Sequence, residues 1–546
     1  MTAKDYGVPK GLPKQTTSIC PECRQLLTAT LSERDGKVYI DKECPEHGSF
    51  SDVYWSDAEL FLRAERYAYD GIGLINPSDK SSGGRNVNVV IGDKPFEMLT
   101  CTALANIDLT NRCNMRCPIC FANANQSGYV YEPDYDTVVS MLKALRAEKP
   151  IKCTAVQFSG GEPTIYPRFV DIIKKAKELG FAQVQAATNG IVFAKDFDLL
   201  KRSQEAGLNT IYLSFDGVSD DIYLQARDRK MFDIKLKVLD NLRKLEKPPS
   251  VVLVPTIVKG LNDKQIGDII NFALKNSDVI RAVNFQPVAF TGRISREELS
   301  KGRFTLPDLI REEGEQTGYT TRDDWFPVPI VAPISKLASM LLGENKVTFT
   351  THPHCGIATY LFQIGDGKVV PMTRFIDAEK ISKGFNEIAT ETAAAMSKIE
   401  DRYVDGTVSD EFRAAHLEAY KSGLKVKEGY KILKLLNSCI IESELPGGMD
   451  KKKFTRSIRA VMSDKSKETL AAFSWKMVML GGMHFQDNYN YDVERVRRCG
   501  VHYATPDLRV IPFCAYNGGP EYRAEVEKKF SVPLEEWKKR HGDEHC

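Results

Sequence analysis

From Ala103 to about residue 325 the chain alternates short β-rich runs with helical stretches: ALANIDLT, VVSMLKALRAEK, TAVQFSGG, FVDIIKKAKELG, VQAATNG, FDLLKRSQEAG, TIYLSFDG, a further helix, VVLVPTIV, IGDIINFALKN and AVNFQPVAF. Strands in alternation with helices at this spacing predict βαβ units and a parallel sheet, covered on its faces or closed into a barrel. About six units can be counted. That is short of the eight of a complete barrel, so the class is α/β with an open, partial (β/α)6 TIM-like barrel, whose chemistry belongs at the C-terminal ends of the strands.

The first strand, ALANIDLT, runs directly into TNRCNMRCPIC, which carries Cys113, Cys117 and Cys120 in one short polar loop. Four thiolates complete a tetrahedral ion or a cubane cluster. Three leave one metal position open, which a reactive site requires and a structural one does not. The bland alternative is a zinc knuckle completed by a remote residue. About forty residues on, at the end of another strand, stands QFSGGEPTIYP. Gly160 and Gly161 there let a backbone approach a ligand closely. A lone GGE tripeptide is an ordinary turn, whereas its pairing with CxxxCxxC in this strand context is specific.

On these residues, together with ATNG (187–190), LSFDG (213–217) and VPTIVKGLND (254–263), the chain resembles the radical S-adenosylmethionine (SAM) superfamily over at least residues 104–290. The resemblance implies a [4Fe–4S] cluster on Cys113, Cys117 and Cys120 whose open iron chelates SAM. It also implies an external one-electron donor and reductive cleavage of SAM to a 5′-deoxyadenosyl radical. Gly160, Gly161, Glu162 and Pro163 match the motif bordering the SAM amine. Thr188, Asn189, Ser214 and Asp216 match strand ends that meet ribose and carboxylate, and Arg227 is either a contact for the SAM carboxylate or a surface ion pair.

Two further groups of cysteines lie outside that stretch. SICPEC and ECPEHG place Cys20, Cys23, Cys44 and His47 in two knuckles, the pattern of a rubredoxin-like or zinc-ribbon module around one mononuclear iron or zinc ion. A structural role is the expectation for that ion. In the C-terminal region, CGVHYATPDLRVIPFC resembles the cysteine hairpins that hold auxiliary clusters in radical SAM enzymes. This points to at least one auxiliary [4Fe–4S] cluster on Cys355, Cys499 and Cys514, with Cys439 as a further ligand or a buried thiol. His352, His354, His484 and His502 stand near these cysteines and read as hydrogen-bonding neighbours.

At 546 residues the chain exceeds one ordinary core. Its organisation reads as a metal module over 1–75, a linker or hairpin over 76–103, the barrel over 104–325, and an auxiliary-cluster and substrate domain over 326–546. Lys+Arg 75 against Asp+Glu 73 argues against a nucleic-acid surface. The absence of an apolar leader or of a long apolar run points to a cytoplasmic chain without a transmembrane span. Taken as a whole, the cysteine order resembles archaeal tetraether lipid synthases. That implies joining of the terminal methyl carbons of isoprenoid phospholipid chains at a membrane surface, with the Leu- and Met-rich segments 326–343 and 469–485 as walls for the lipid tails. A second reading applies the same machinery to methylation of a pterin precursor. A pure electron carrier would need neither the open iron nor the GGEP motif.

Overall fold

The computed structural model describes residues 7–542 except 81–86, 295–301, 365–366, 402–409, 443–444, 446–450, 453–476 and 521. Four antiparallel strands open the chain: β1 (Lys14–Ile19), β2 (Leu26–Arg34), β3 (Lys37–Cys44) and β4 (Gly48–Trp55). Buried and more exposed positions alternate along β3, so one face is dry. That face, with Leu31, Val38, Ile40 and Trp55, belongs to the same apolar cluster as Ile107 and Phe158 of the barrel. The metal module is therefore docked on the barrel and shares its core.

At the tip of this sheet Cys20, Cys23, Cys44 and His47 bring their ligand atoms within 4.8 Å of one another. Cys23 Sγ lies 3.8 Å from Cys44 Sγ, and Cys44 Sγ lies 3.5 Å from His47 Nδ1. Thiolates held at ~2.3 Å from a common tetrahedral ion are about 3.8 Å apart, so the set fits one ion. Beyond α1 (Ala58–Ala64), capped by Asp57 through Leu60 N, the expected linker or hairpin contains a hairpin, β5 (Asn88–Ile91) and β6 (Lys94–Glu97).

The barrel strands are β7 (Leu104–Thr110), β9 (Ala155–Gly160), β10 (Gln183–Thr188), β11 (Thr210–Ser214), β12 (Ser250–Val254) and β14 (Ile280–Pro287). Between them lie the short β8 (Tyr129–Tyr131) and β13 (Thr256–Ile257), and the helices α2 (Tyr135–Ala147), α3 (Phe169–Glu178), α4 (Ile191–Lys195), α5 (Phe197–Glu205), α6 (Asp220–Arg227), α7 (Phe232–Arg243) and α8 (Ile266–Lys275). The order is β14-β12-β11-β10-β9-β7 with every neighbour parallel, the six-unit open sheet expected.

The C-terminal region, expected as a separate unit, builds onto this sheet. It supplies β15 (Phe326–Pro327), β16 (Gly356–Ile364), β17 (Lys368–Pro371), β18 (Met477–Met483), β19 (Val501–Ala504) and β20 (Val510–Pro512). Strand β18 adds parallel to β14, and β19 adds parallel to β7, so both edges of the six-stranded sheet are extended. A bare edge leaves a row of N–H and C=O groups unpaired, and local sequence does not say which segment will cover it.

Of the two apolar segments, 326–343 has an ordinary packing role, while the described end of 469–485 brings Met483 and Phe485 to a cavity beneath the cysteine loop. Residues 326–343 contain β15 and the helix Ala332–Leu342. Leu337 of that helix clusters with Phe385, Ile388 and Ala389 of Ala378–Asp401 and with Ile432 of Asp410–Ser438. Of 469–485, residues up to 476 lie outside the described residues, and most of the remainder is β18. No helix among the described residues is long and apolar enough to cross a membrane.

Behind β7, Glu148 is buried; its Oε1 accepts from Thr102 Oγ1 at 3.0 Å, and Oε2 has no partner. Burial raises its carboxyl well above the usual range, so the group folds neutral. The unfolded chain ionises from about pH 4 upward, so this residue's contribution to stability falls as pH rises through that point toward the folded value. Glu148→Gln keeps the acceptor and removes the titration. The variant should unfold on the order of 2 °C higher than the parent at pH 8 and no higher at pH 4; equal midpoints at pH 8 would refute a neutral buried carboxyl. For the metal module, Cys20→Ser with Cys23→Ser should lower the unfolding midpoint by roughly 5 °C or more and open β1–β4 to proteolysis. An unchanged midpoint with unchanged metal content would show that the four side chains hold no ion.

Candidate active site

The cysteine loop leaves the end of β7 and is held by backbone capture. Asn125 donates from Nδ2 to the carbonyls of Cys113 (2.7 Å) and Met115 (3.1 Å), and its Oδ1 accepts from Cys113 N at 2.9 Å. Arg293 donates from Nη1 to Cys117 O at 2.8 Å. Cys113, Cys117 and Cys120 all line one cavity of about 250 Å³. Burial raises the Cys113 and Cys117 thiols, and for Cys113 the neighbouring Glu162 adds to the rise, so a bound cation is what would hold these groups as thiolates.

Gly160 and Gly161 line the same cavity, but their missing side chains serve the cysteine loop first. Gly160 has φ +122°, and a Cβ there would stand 2.2 Å from Thr110 O; one on Gly161 would stand 2.1 Å from Arg112 O. In that space Gly161 N donates to Thr110 O at 2.7 Å, and Glu162 N donates to Arg112 O at 3.0 Å. Pro163 begins a single 3-10 turn, Pro163–Ile165.

The buried Glu162 carboxylate then ties in the end of β10. Oε1 accepts from Thr188 Oγ1 at 2.7 Å, and Oε2 accepts from Asn189 N at 2.8 Å. Asn189 Nδ2 donates to Asn114 Oδ1 at 2.7 Å, back in the cysteine loop. Ser214 lines the cavity and accepts from Lys235 Nζ at 3.3 Å. Lys235, unmarked by any motif, is buried under the site, with Nζ also 2.6 Å from Asn189 O; burial lowers its pKa to about 7. The only signal was a lysine on the inward face of α7.

Asp216 and Arg227 form a two-pronged pair, Nε to Oδ2 at 2.7 Å and Nη2 to Oδ1 at 2.8 Å, with Asp216 buried. The pair is not on the surface. Burial works against the charge on Arg227, but Asp216 and the thiols of Cys117 and Cys120 outweigh it and hold the group cationic. Its Nη1 donates to Ile119 O at 2.9 Å, inside the cysteine loop. Three of its five N–H groups are thereby used.

In the C-terminal region Cys355, Cys499 and Cys514 converge: each of the other two thiols acts on Cys499, whose burial already raises it. Arg495, buried and without a carboxylate partner among the described residues, places Nε 3.4 Å from Cys355 Sγ, while its Nη1 has no partner. Gln486 N donates to Cys514 Sγ at 3.3 Å, and both ring nitrogens of the buried His484 are unpartnered. Three thiols around an uncompensated guanidinium fit an anionic group. Cys439 is not part of this set; it lies beside Ser438, Asp377 and Lys380. Cys101 and Cys153 are buried free thiols. His354 and His502 are hydrogen-bonded, to Phe61 O (3.1 Å) and Thr102 Oγ1 (2.8 Å).

Comparison with known proteins places these motifs. The radical SAM superfamily profile matches residues 107–273, and that of the HMPTM N-terminal zinc ribbon domain matches residues 12–56. A 7,8-dihydro-6-hydroxymethylpterin dimethyltransferase of Methanocaldococcus jannaschii is 46% identical over 535 residues, covering 97% of this chain and 98% of its own. A GTP 3′,8-cyclase of Clostridium acetobutylicum is 25% identical over 251 residues, 46% of this chain and 73% of its own. Among solved structures, Streptococcus suis SuiB bound to S-adenosylmethionine overlaps 40% of this chain and 47% of its own, at 18% identity and a TM-score of 0.32. The full-length relative overturns the expectation of a tetraether lipid synthase with an isoprenoid phospholipid partner, since the protein it names acts on a pterin. Spacing, buried ligand sets and full-length identity agree that this chain is a radical SAM enzyme with an N-terminal zinc ribbon, and belongs to the same family as the M. jannaschii dimethyltransferase.

Proposed function

We propose that the chain is a radical SAM methyltransferase whose substrate is a reduced pterin of the 7,8-dihydro-6-hydroxymethylpterin type. The observation that carries this reading is the 46% identity to a pterin dimethyltransferase along essentially the whole of both chains. The cavity lining is compatible with such a substrate. Phe485, Phe513 and Tyr503 supply aromatic faces, with the Phe485 and Phe513 rings stacked at 3.9 Å, while Asn106, Gln157, Gln286, Gln486 and Asn517 supply amides. A fused heterocycle needs a face to stack on and an edge to hydrogen-bond.

In this reading Cys113, Cys117 and Cys120 hold a [4Fe–4S] cluster with an open iron. Bound there with SAM, it supplies one-electron chemistry that no side-chain acid or base offers. Gly160, Gly161, Glu162, Pro163, Thr188, Asn189, Ser214 and Asp216 shape the SAM end of the cavity. Arg227, which also hydrogen-bonds the Cys117 thiol, lines the cavity and presents its charge to the SAM carboxylate. Cys355, Cys499 and Cys514 hold an auxiliary iron–sulfur cluster, with Arg495 offsetting its negative charge; Cys439 is too differently placed to join them. Electrons come from an external one-electron donor.

Changing Cys113, Cys117 and Cys120 together to Ala should lower iron by about four per chain and abolish 5′-deoxyadenosine formation, and persistent formation would contradict the cluster assignment. For the substrate, reconstituted protein given the dihydropterin, SAM, a methyl source and a low-potential reductant should yield pterin heavier by one or two methyl groups. SAM cleavage without any methylated pterin under these conditions would sink the proposal.

A further inference from the structure

The interior of a parallel barrel is ordinarily filled by branched apolar side chains. Here one row across four adjacent strands reads Tyr503, Asn106, Gln157, Gln185, each residue being the register partner of the next on β19, β7, β9 and β10. Tyr503, Asn106 and Gln157 line the cavity. All four are buried, Asn106 to 1% exposure.

The amides form a relay. Gln185 Nε2 donates to Gln157 Oε1 at 3.0 Å, and Gln157 Nε2 donates to Asn106 Oδ1 at 2.8 Å. The relay stops there: Asn106 Nδ2 has no partner among the described residues. Turning all three amides over would leave the same place unfilled, with the Asn106 oxygen in place of its nitrogen. A buried amide group without a partner is costly, and such groups in native folds are accounted for by strain, a bound molecule or a functional role. On the far side of Asn106 stands Tyr503, whose ring lies 5.4 Å from Phe513 and is stacked on Tyr516 at 4.1 Å. Asn106 thus stands next to an aromatic wall in the lining of the cavity that the cysteine loop covers.

We propose that Asn106, held by the Gln157–Gln185 relay, is the specificity-determining contact for the ring amide of a planar heterocyclic substrate lying against the Tyr503 and Phe513 wall. This rests on the pterin reading for the identity of the heterocycle, though not for its class. The amide of Asn106 completes its hydrogen bonding on the lactam carbonyl of the ring. The relay holds the Asn106 amide group in place, so its unfilled end is aimed before the substrate arrives. No bond is made or broken by these residues.

The test uses full-length, cluster-reconstituted protein with SAM present. Binding of 7,8-dihydro-6-hydroxymethylpterin, of an analogue lacking the lactam oxygen, and of guanosine and lumazine is measured by fluorescence titration. The parent protein should prefer the pterin to its deoxygenated analogue. Asn106→Leu, close in shape, should bind the pterin about 30-fold more weakly and lose that preference. Gln157→Leu, which frees the Asn106 amide to turn, should give a smaller loss of the same kind, and it stands in if the first variant fails to fold. A structural defect alone would weaken both ligands equally and leave the preference intact. If the parent binds the pterin and Asn106→Leu keeps the preference, the Asn106 assignment is wrong. Should the parent bind only another lactam, with the same dependence on Asn106, the pterin reading falls and the row stands. Binding of no lactam heterocycle would overturn both.

Discussion

The site depends on one close approach, between the ends of β7 and β9. Thr110 and Arg112 present their carbonyls where side chains on Gly160 and Gly161 would otherwise stand, at 2.2 and 2.1 Å from the would-be Cβ atoms. The ladder continues past the strands through Gly161 N and Glu162 N. Glu162 passes the constraint to Thr188 and Asn189, and Asn189 returns it to Asn114. Three strand ends and the cysteine loop thereby form a closed circuit of hydrogen bonds, so the loop's position is set by backbone geometry before any metal or substrate binds. Preorganisation of this kind is what a site needs if its reacting groups are to be held to a fraction of an ångström.

Buried ions tie distant segments to that frame. Arg303 is fully buried between Asp52 of the ribbon, at 2.5 Å, and Asp487 of the C-terminal region, at 2.8 Å. Arg523, from near the end of the chain, reaches Asp108 of β7 at 2.6 Å. Asp216 and Arg227 do the same between β11 and the cysteine loop. Taking such charges out of water is costly, and opposed carboxylates offset the cost in each case. Arg495 is the contrast: its neighbours are thiols, a carbonyl and the Tyr54 ring. The difference separates ion pairs that join parts of the fold from a cation that faces thiols.

The cysteine and glycine motifs and the cavity-lining residues differ in how much of themselves they write into sequence. CxxxCxxC and GGEP are local, because a loop and a turn fix their geometry. The cavity wall takes one to three residues from each of β7, β9, β10, β11, β12, β13, β14, β18 and β19, drawn from segments up to about four hundred residues apart. Nothing in the spacing of Asn106, Gln157, Phe485 or Tyr503 marks them as neighbours. The apolar segment 326–343 gave a false signal for lipid because composition cannot tell a helix that packs on other helices from one that lines a cavity. Leu337, among Phe385, Ile388 and Ile432, is of the first kind.

The six-unit parallel sheet, the four-ligand knuckle at Cys20, Cys23, Cys44 and His47, and the cysteine loop at a strand end were legible in sequence, because periodicity and short ligand spacings are set within a few residues. What only the tertiary structure decided was nonlocal. The C-terminal strands close over both edges of the barrel sheet, the ribbon's dry face enters the barrel core, and Cys439 stays apart from Cys355, Cys499 and Cys514. Lys235 and the Asn106 relay likewise acquire their environment only from strands and helices brought together by folding. A side chain's reach is a few ångströms in space, whereas the sequence records only its distance along the chain.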